Sequence, residues 1–281
     1  MVSMEKILLA DSGTGQSEAM LKVLMDIPLF QRSHVTVLHV VPPQVTAEAM
    51  TNKWEEGGKT LARAMQALQL DPNRSTAMLK EGEPKDVVCQ VAQDIDTNLI
   101  IMGSRGLKRL QAILKNSVSQ YVFQLVDRPM LLVKDDVYVK KIRKILVTLD
   151  SSEQSQQSLQ LAFSMLKDIK GGQLFLVHVT SDLKTSNLPK RPAESDPVLI
   201  PAIQEAQKLG IKYQCVTPSG KPGQRIRQLA DDADVDLLIM GSPERRPSVA
   251  KGLPDLDRLL GGSLSDYIRI EAPCPVLLVR F

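Results

Sequence analysis

The two halves of this chain repeat each other, and this duplication constrains the fold more than any other feature. Four short motifs recur in the same order, such as Lys6-Ile7-Leu8-Leu9 and Lys144-Ile145-Leu146-Val147. Ile7 precedes Ile145 by the same number of positions as Gly103 precedes Gly241. A near-constant offset indicates duplication of a whole domain, and 281 residues suit two domains of about 100–200 residues each. We predict domains over residues 1–135 and 143–281, joined by the charged segment 135–143.

Each half alternates strand and helix patterns. Short, continuous apolar runs bounded by polar residues are typical of parallel strands buried on both faces. They predict strands at residues 7–10, 35–40, 75–79, 99–102 and 130–133, and again at 145–149, 174–179, 212–216, 237–240 and 276–279. Amphipathic patterns predict helices in the first half at residues 17–25, 47–68, 85–94 and 118–126. The alternation predicts an α/β fold of two Rossmann-like or flavodoxin-like, doubly wound domains, each a five-stranded parallel sheet in the order 3-2-1-4-5.

Composition excludes several classes of function. The net charge is only +3 and its basic residues are dispersed, which argues against a nucleic-acid partner. No apolar run approaches the roughly 18 residues that would cross a bilayer, so we predict no membrane association. Three widely spaced cysteines, Cys89, Cys215 and Cys274, predict free, buried thiols. Together with an N-terminus that does not resemble a signal peptide, they predict a cytoplasmic location.

The loop after the fourth strand carries the most distinctive motif. In a doubly wound sheet, ligands bind beyond the carboxyl ends of the strands where the strand order reverses, here between the first and fourth strands. The first half reads Met102-Gly103-Ser104-Arg105-Gly106, and glycines let a backbone approach a ligand closely. Asn116 and Ser117 then precede a helical pattern, at a position that suits an anion-binding helix N-terminus. The alternative is a glycine-rich turn followed by an ordinary capping residue.

A carboxylate follows the first strand of each half. The sequences are Asp11-Ser12-Gly13 and Asp150-Ser151-Ser152. Either aspartate could accept hydrogen bonds from ribose hydroxyls, or it could cap the helix that follows.

These motifs resemble the universal stress protein family in its tandem form. The family pattern is an Asp after the first strand, then Gly-x2-Gly-x9-Gly-Ser/Thr after the fourth. The first half matches it except that Asn116 replaces the last glycine, and Asn tolerates left-handed backbone geometry. Asp11 also needs a local gap to reach the family position, since Ser12 falls opposite Asp150. The second half ends the pattern with Gly262-Ser263-Leu264-Ser265, after a longer segment that begins with Glu244 in place of the second glycine. The basic residues of segment 243–255 could contact phosphates, or the segment could be a solvated insertion.

The resemblance implies an adenine-nucleotide site in each domain. In the first domain it implies Asp11, Val40, Met102, Gly103, Arg105, Gly106, Asn116, Ser117, Val118 and Ser119. In the second domain it implies Asp150, Val179, Met240, Gly241, Gly262, Ser263, Leu264 and Ser265. The implied cofactor is ATP, or AMP or ADP, with Mg²⁺ as an optional companion.

The implied function is a stress-response regulatory or signalling module that binds nucleotide without fast turnover. The alternatives are a nucleotide-free scaffold of the same fold and a slow ATP hydrolase. No catalytic residue and no protein metal site is predicted, since no Walker-type motif, paired carboxylates or metal-ligand cluster recurs. His39 and His178 are predicted to be hydrogen-bonded core residues, and the helix around Trp54 is predicted to pack on the sheet.

Assembly is also implied by the resemblance. In the family the fifth strand pairs with its counterpart in a partner, so residues 130–133 and 276–279 are expected to pair within this chain. The expected result is an intramolecular pseudo-dimer, and a homodimer of whole chains is left open. The sequence does not name a protein partner.

Overall fold

The computed structural model describes residues 4–104, 118–180, 192–242 and 263–280. These residues form two compact units. One holds residues 4–104 and 118–138, and the other holds residues 139–180, 192–242 and 263–280. We refer to them as the first and second domains, while the predicted boundaries 1–135 and 143–281 stay predictions.

The first domain is a five-stranded parallel sheet with helices between its strands. Its strands are β1 (Lys6–Ala10), β2 (His34–Val41), β3 (Ser75–Glu81), β4 (Leu99–Ser104) and β5 (Met130–Lys134). Its described helices are α1 (Gln16–Met25), α2 (Ala47–Leu68), α3 (Pro84–Asp94) and α4 (Val118–Leu125). The strand order is β3-β2-β1-β4-β5, with every pairing parallel.

The second domain has the same topology. Its strands are β6 (Lys144–Thr148), β7 (Gln173–Val177), β8 (Lys212–Val216), β9 (Leu237–Gly241) and β10 (Val276–Val279). Its described helices are α5 (Glu153–Leu166), α6 (Ile200–Lys208), α7 (Pro222–Asp232) and α8 (Leu264–Glu271). The order β8-β7-β6-β9-β10 is again fully parallel. The predicted α/β class and the 3-2-1-4-5 order are therefore confirmed in both domains, whereas the pseudo-dimer stays a prediction.

Burial explains why the central strands were easy to predict. Helices cover both faces of each sheet, so both side-chain rows of a central strand are apolar. Ile7, Leu8 and Leu9 of β1 are completely buried, and so are Ile145 and Leu146 of β6. The outer strand β3 is half-buried or exposed along its whole length, which accounts for its weaker apolar signal.

The strand β7 ends earlier than predicted. We expected it to reach residue 179, but it ends at Val177, and only an isolated bridge between Thr180 and Ser219 follows. The ring of His178 instead bonds to the carboxylate of Asp196, with Nδ1 and Oδ2 2.9 Å apart. The apolar sequence pattern therefore extends beyond the last regular pairing of β7.

Two further expectations need correction. The helix α2 packs on β2 and β3 as expected, but not through the region around Trp54, which is 38% exposed, and none of residues 47–56 is buried. The helix first meets the sheet at Gly57, where an added Cβ would lie 2.7 Å from a Val41 methyl group. All three cysteines are free as predicted, but only Cys274 is buried, while Cys89 and Cys215 are half-buried.

Candidate functional site

A cleft opens in the first domain at the carboxyl ends of the central strands. β1 pairs with β2 on one side and β4 on the other, so chain connections leave β1 and β4 in opposite directions. This is the topological switch point at which open α/β sheets bind ligands. The cleft has a volume of about 420 Å³, within the roughly 300–1,000 Å³ usual for small-molecule sites. It is lined by Ala10, Asp11, Ser12, Thr14, Gln16, Leu38, His39, Val40, Pro84, Val88, Met102, Gly103, Ser104, Val118, Ser119, Val133 and Asp135.

The structure brings the described site residues predicted in the first domain together. Every one of them lines this cleft, namely Asp11, Val40, Met102, Gly103, Val118 and Ser119. The remaining four predicted residues, Arg105, Gly106, Asn116 and Ser117, lie outside the described residues.

Asp11 presents a buried carboxylate oxygen to the cleft. The residue is only 6% exposed, and its Oδ1 accepts a hydrogen bond from the Gly13 amide at 2.7 Å. Its Oδ2 is buried and has no hydrogen-bond partner among the residues that the structure describes. The alternative role of helix cap is wrong, because the N-cap of α1 is Gly15, in a left-handed conformation with φ of 88°.

The pKa of Asp11 is raised to about 7. Burial is the main cause, because it penalises the ionised form. The negative charge of Glu18, and a hydrogen bond that the protonated Asp11 carboxyl donates to the Glu18 carboxylate, raise the pKa further. The hydrogen bond from Gly13 and the positive charge of Arg63 act in the opposite direction. Asp11 is therefore poised to change its ionisation near neutral pH.

His39 is a cleft residue that the sequence reasoning assigned only to the core. Its Nδ1 lies 3.0 Å from the backbone carbonyl oxygen of Asp11. Because a carbonyl only accepts, Nδ1 is the donor and carries the proton of the neutral ring. The predicted hydrogen bond is confirmed, and it ties the end of β2 to the loop after β1. The available signal was position, since His39 directly precedes the predicted site residue Val40.

Asp135 is another cleft residue that sequence reasoning missed, because it was assigned to the linker. Its amide donates to the Ser104 carbonyl oxygen at 3.2 Å, and its own carbonyl accepts from Gln16 Nε2 at 3.3 Å. Both Gln16 and Asp135 line the cleft. Polar residues distant in sequence thus close one side of the site, which no local motif could show.

Gly103 leaves open space beside the cleft. Among the described residues, a Cβ built on Gly103 would meet Ser12 Oγ alone, at an ordinary contact distance of 3.7 Å. The neighbouring Ser104 has a buried hydroxyl with no partner among the described residues. The helix α4 begins at the cleft wall with Val118 and Ser119, and the dipole of a helix favours anions near its N-terminus.

The equivalent glycine of the second domain has no such space. A Cβ on Gly241 would lie 2.7 Å from backbone atoms of both Gln154 and Ser155, in the first turn of α5. Met240, the predicted site residue before it, is 3% exposed. The start of α5 therefore fills the space beside Gly241 of β9, whereas the equivalent space beside Gly103 of β4 is open.

Asp150 is not the structural counterpart of Asp11. The Asp11 amide donates to the Leu38 carbonyl at 2.8 Å, and the Leu149 amide donates to the Val177 carbonyl at 2.7 Å. Leu149, which is 4% exposed, therefore takes the place of Asp11, and Asp150 is exposed one residue later. Asp150 is not the helix cap either, because Ser152 caps α5. Its Oδ1 accepts from the Ser152 amide at 2.9 Å.

The hydroxyl groups of Ser263 and Ser265, two predicted site residues of the second domain, bond to neighbouring protein groups. Ser263 Oγ accepts from the Asp266 amide at 3.2 Å, capping α8, and donates to Asp266 Oδ2 at 2.7 Å. Ser265 Oγ bonds to Ser242 Oγ at 3.3 Å. Asp266 and Arg269 are buried 3.6 Å apart as an ion pair, and burial lowers the pKa of the Arg269 guanidinium.

The other predicted residues of the second domain are dispersed. Leu264 is 38% exposed, Val179 is half-buried after the end of β7, and Gly262 lies outside the described residues.

The described residues hold no group of three or more His, Cys, Asp or Glu side chains that could bind a metal ion. None of the described helices has both the length and the apolar character needed to cross a membrane.

Comparison with known proteins agrees with this architecture. The family model of the universal stress protein family matches residues 4–134 and again residues 141–280. Universal stress protein Sll1388 of Synechocystis is 27% identical over 158 residues, which cover 49% of this chain and 97% of that protein. The crystal structure of a universal stress protein from Archaeoglobus fulgidus has a TM-score of 0.75 at 22% identity, covering 99% of this chain and 97% of that one. A family protein from Arabidopsis thaliana solved with AMP bound is 17% identical, with a TM-score of 0.35, over 48% of this chain and 89% of that one.

The fold and the cleft define a tandem α/β protein with a candidate ligand cleft at the switch point of its first sheet. The two matches of the family model then give the particular family. The chain belongs to the universal stress protein family, as two repeats in one polypeptide.

Proposed function

We propose that the first domain binds an adenine nucleotide, ATP or AMP or ADP, and that its occupancy is a regulatory signal in a stress response, without fast turnover. The observation that carries the proposal is that all six described residues of the predicted site line one cleft, where Asp11 presents a buried carboxylate oxygen with no hydrogen-bond partner among the described residues. A ligand that donates a hydrogen bond to this oxygen removes the cost of leaving a buried polar atom unsatisfied.

The lining chemistry suits the three parts of a nucleotide. Val40, Val88 and Met102 give apolar walls that fit a flat base. Asp11 suits a ribose hydroxyl, which can donate to a carboxylate. The N-terminus of α4, with Ser119 beside the cleft, suits a phosphate group. Mg²⁺ would enter with the phosphates, whose oxygens are its preferred ligands.

We further propose that the second domain does not bind nucleotide. Gly241 packs against the α5 backbone, where a ligand would need the room. Ser263 already bonds to Asp266, whose carboxylate stands at the start of α8 and repels a phosphate there. The described part of the second domain thus resembles the first domain in topology, but it lacks the open space beside the fourth strand.

A cytoplasmic site of action belongs to the same proposal. It is supported by three cysteines that are all free, as is usual in a reducing compartment.

Titration calorimetry with ATP and AMP tests the proposed site. We expect one nucleotide per chain, and acid denaturation of the purified protein should release adenine nucleotide that chromatography can identify. Asp11→Ala should weaken binding at least about tenfold, because a charge-assisted hydrogen bond contributes about 1.5–3 kcal/mol. Asp150→Ala is the matched control and should bind as the wild type does.

Other outcomes would replace the proposal. A stoichiometry of two nucleotides per chain, or a loss of affinity in Asp150→Ala, would show that the second domain binds nucleotide as well. The absence of binding by ATP and AMP in the folded protein would instead favour the nucleotide-free scaffold.

A further inference from the structure

The Asp11 carboxyl group is poorly compensated for an ionised group in the wall of a cleft. The residue is only 6% exposed, yet among the described residues its carboxylate accepts a hydrogen bond from one donor, the Gly13 amide on Oδ1. Oδ2 is buried without a partner among the described residues. Burial of a charge without full hydrogen bonding is costly, so the empty protein favours the protonated form.

The charged groups around Asp11 do not change this balance. Glu18 of α1 is 7% exposed and accepts from the Ser17 hydroxyl at 3.0 Å. Its negative charge disfavours a second carboxylate, and its hydrogen bond with the Asp11 carboxyl favours the protonated form of Asp11. Arg63 of α2 acts in the opposite direction but is exposed and screened by solvent. His39 of β2 binds the backbone carbonyl of Asp11 and not its carboxylate.

No lysine or arginine side chain is among the described residues that line the cleft. β4 contributes Met102, Gly103 and Ser104, which are uncharged. From the chain after β5, Asp135 adds another carboxylate to the lining. These described surroundings disfavour ionisation of Asp11, in agreement with its pKa of about 7.

We infer that binding of a ribonucleoside in this cleft releases a proton from Asp11, so that occupancy of the first domain increases with pH around neutrality. The inference rests on the proposed function and adds a mode of regulation to it. A ribose hydroxyl keeps its own proton and donates it in a hydrogen bond to Oδ2. The new donor stabilises the carboxylate, and the proton of the carboxyl group leaves to the solvent.

The sign follows from linkage. The free site has a pKa near 7 and the bound site a lower one, so the bound state holds fewer protons. Affinity is therefore weakest below the free pKa, increases as the pH rises through it, and levels off above it. For complete ionisation on binding, affinity at about pH 8 should exceed that at about pH 6 by about tenfold.

Adenosine is the appropriate probe, because it has the ribose but no phosphate that titrates near neutrality. We would measure its affinity for the full chain by calorimetry at about pH 6, 7 and 8, in two buffers with different ionisation enthalpies. The buffer dependence of the heat should show release of about half a proton at about pH 7. 2′,3′-Dideoxyadenosine, which lacks the 2′- and 3′-hydroxyl donors of the ribose, should bind with little pH dependence.

Two variants separate Asp11 from other titrating groups. Asp11→Asn cannot release a proton and should bind adenosine with an affinity that is flat with pH. Glu18→Gln removes the neighbouring charge and should move the midpoint of the pH dependence to lower pH. Circular dichroism melts would confirm that both variants are folded.

The inference would be overturned if the wild type bound adenosine with an affinity independent of pH, or if Asp11→Asn kept the pH dependence of the wild type. Either result would leave the proposed nucleotide site intact. No adenosine, AMP or ATP binding at any pH would overturn the proposed function and the inference together.

Discussion

Glycine stands at the same position of the fourth strand in both domains, as Gly103 in β4 and Gly241 in β9, and alanine should affect the two positions differently. Neither glycine has a positive φ, so the backbone itself accepts alanine at both. The difference lies in what the new methyl group meets. At Gly241 it meets the backbone of Gln154 and Ser155, each at 2.7 Å, and at Gly103 it meets Ser12 Oγ at 3.7 Å.

The magnitudes follow from these distances. Ordinary contact begins at 3.4 Å, so the first turn of α5 must retreat by about 0.7 Å to admit the methyl group of Gly241→Ala. Backbone shifts of this kind typically cost about 1–3 kcal/mol. For a domain of this size the melting temperature should fall by roughly 3–10 °C. Gly103→Ala needs no shift, and its effect on stability should stay within about 1 kcal/mol.

Affinity should respond in the reverse order. The methyl group of Gly103→Ala projects into the space where a ligand would approach the backbone. We therefore expect nucleotide affinity to fall about tenfold, which corresponds to a cost of about 1.4 kcal/mol in binding free energy. Gly241→Ala should leave nucleotide affinity unchanged. Thermal melts and ATP calorimetry on both variants make the comparison complete.

Wild-type stability in Gly241→Ala would refute the reasoning, because it would mean that α5 does not close the space beside β9. Wild-type affinity in a stable Gly103→Ala would show that the ligand does not approach β4 at this point.

Two further predictions concern packing. The methyl group of Gly58→Ala in α2 meets nothing within 4 Å, so helix propensity should raise the free energy of unfolding by up to about 1 kcal/mol. The methyl group of Gly57→Ala presses on side chains of β2 and β3, so this variant should be about 2 kcal/mol less stable than Gly58→Ala. Urea unfolding followed by Trp54, the sole tryptophan, reads the first domain directly, and equal stabilities would contradict the close packing of α2. In the second domain, Asp266→Asn leaves the buried Arg269 without its counter-charge and should cost about 3–5 kcal/mol in urea unfolding monitored by circular dichroism. A cost below about 1 kcal/mol would mean that the ion pair is not buried in solution.

The sequence was sufficient for the architecture because the signals that determine it are local and repeated. Continuous apolar runs mark strands buried on both faces, and their recurrence at a near-constant offset marks two domains. The predicted helix over 47–68 and the predicted strands over 212–216 and 276–279 have the bounds found in the structure. The error at the end of β7 has the same origin, since an apolar pattern does not report where ladder hydrogen bonds stop.

Part of the cleft lining in the first domain could also be predicted from the sequence. Asp11, Gly103 and Ser119 could be predicted because the switch point of a doubly wound sheet is fixed by strand order. His39 and Asp135 could not, because the first looked like a strand residue and the second like a linker residue. Their place in the cleft depends on backbone hydrogen bonds between segments far apart in the chain.

The tertiary structure alone decided which of two matching glycines is open. Gly103 and Gly241 occupy equivalent motifs, but α5 packs against one and no helix presses on the other at the same distance. Similarly, Asp11 directly follows β1 and lies in the cleft wall, whereas Asp150 is the second residue after β6. Leu149 therefore takes the place of Asp11 in the second domain, and Asp150 is exposed to solvent. A sequence motif specifies which groups are available, but helix packing and the path of the chain after a strand determine the space and the solvation around them. Those two quantities set the pKa of Asp11 and the difference between the two domains.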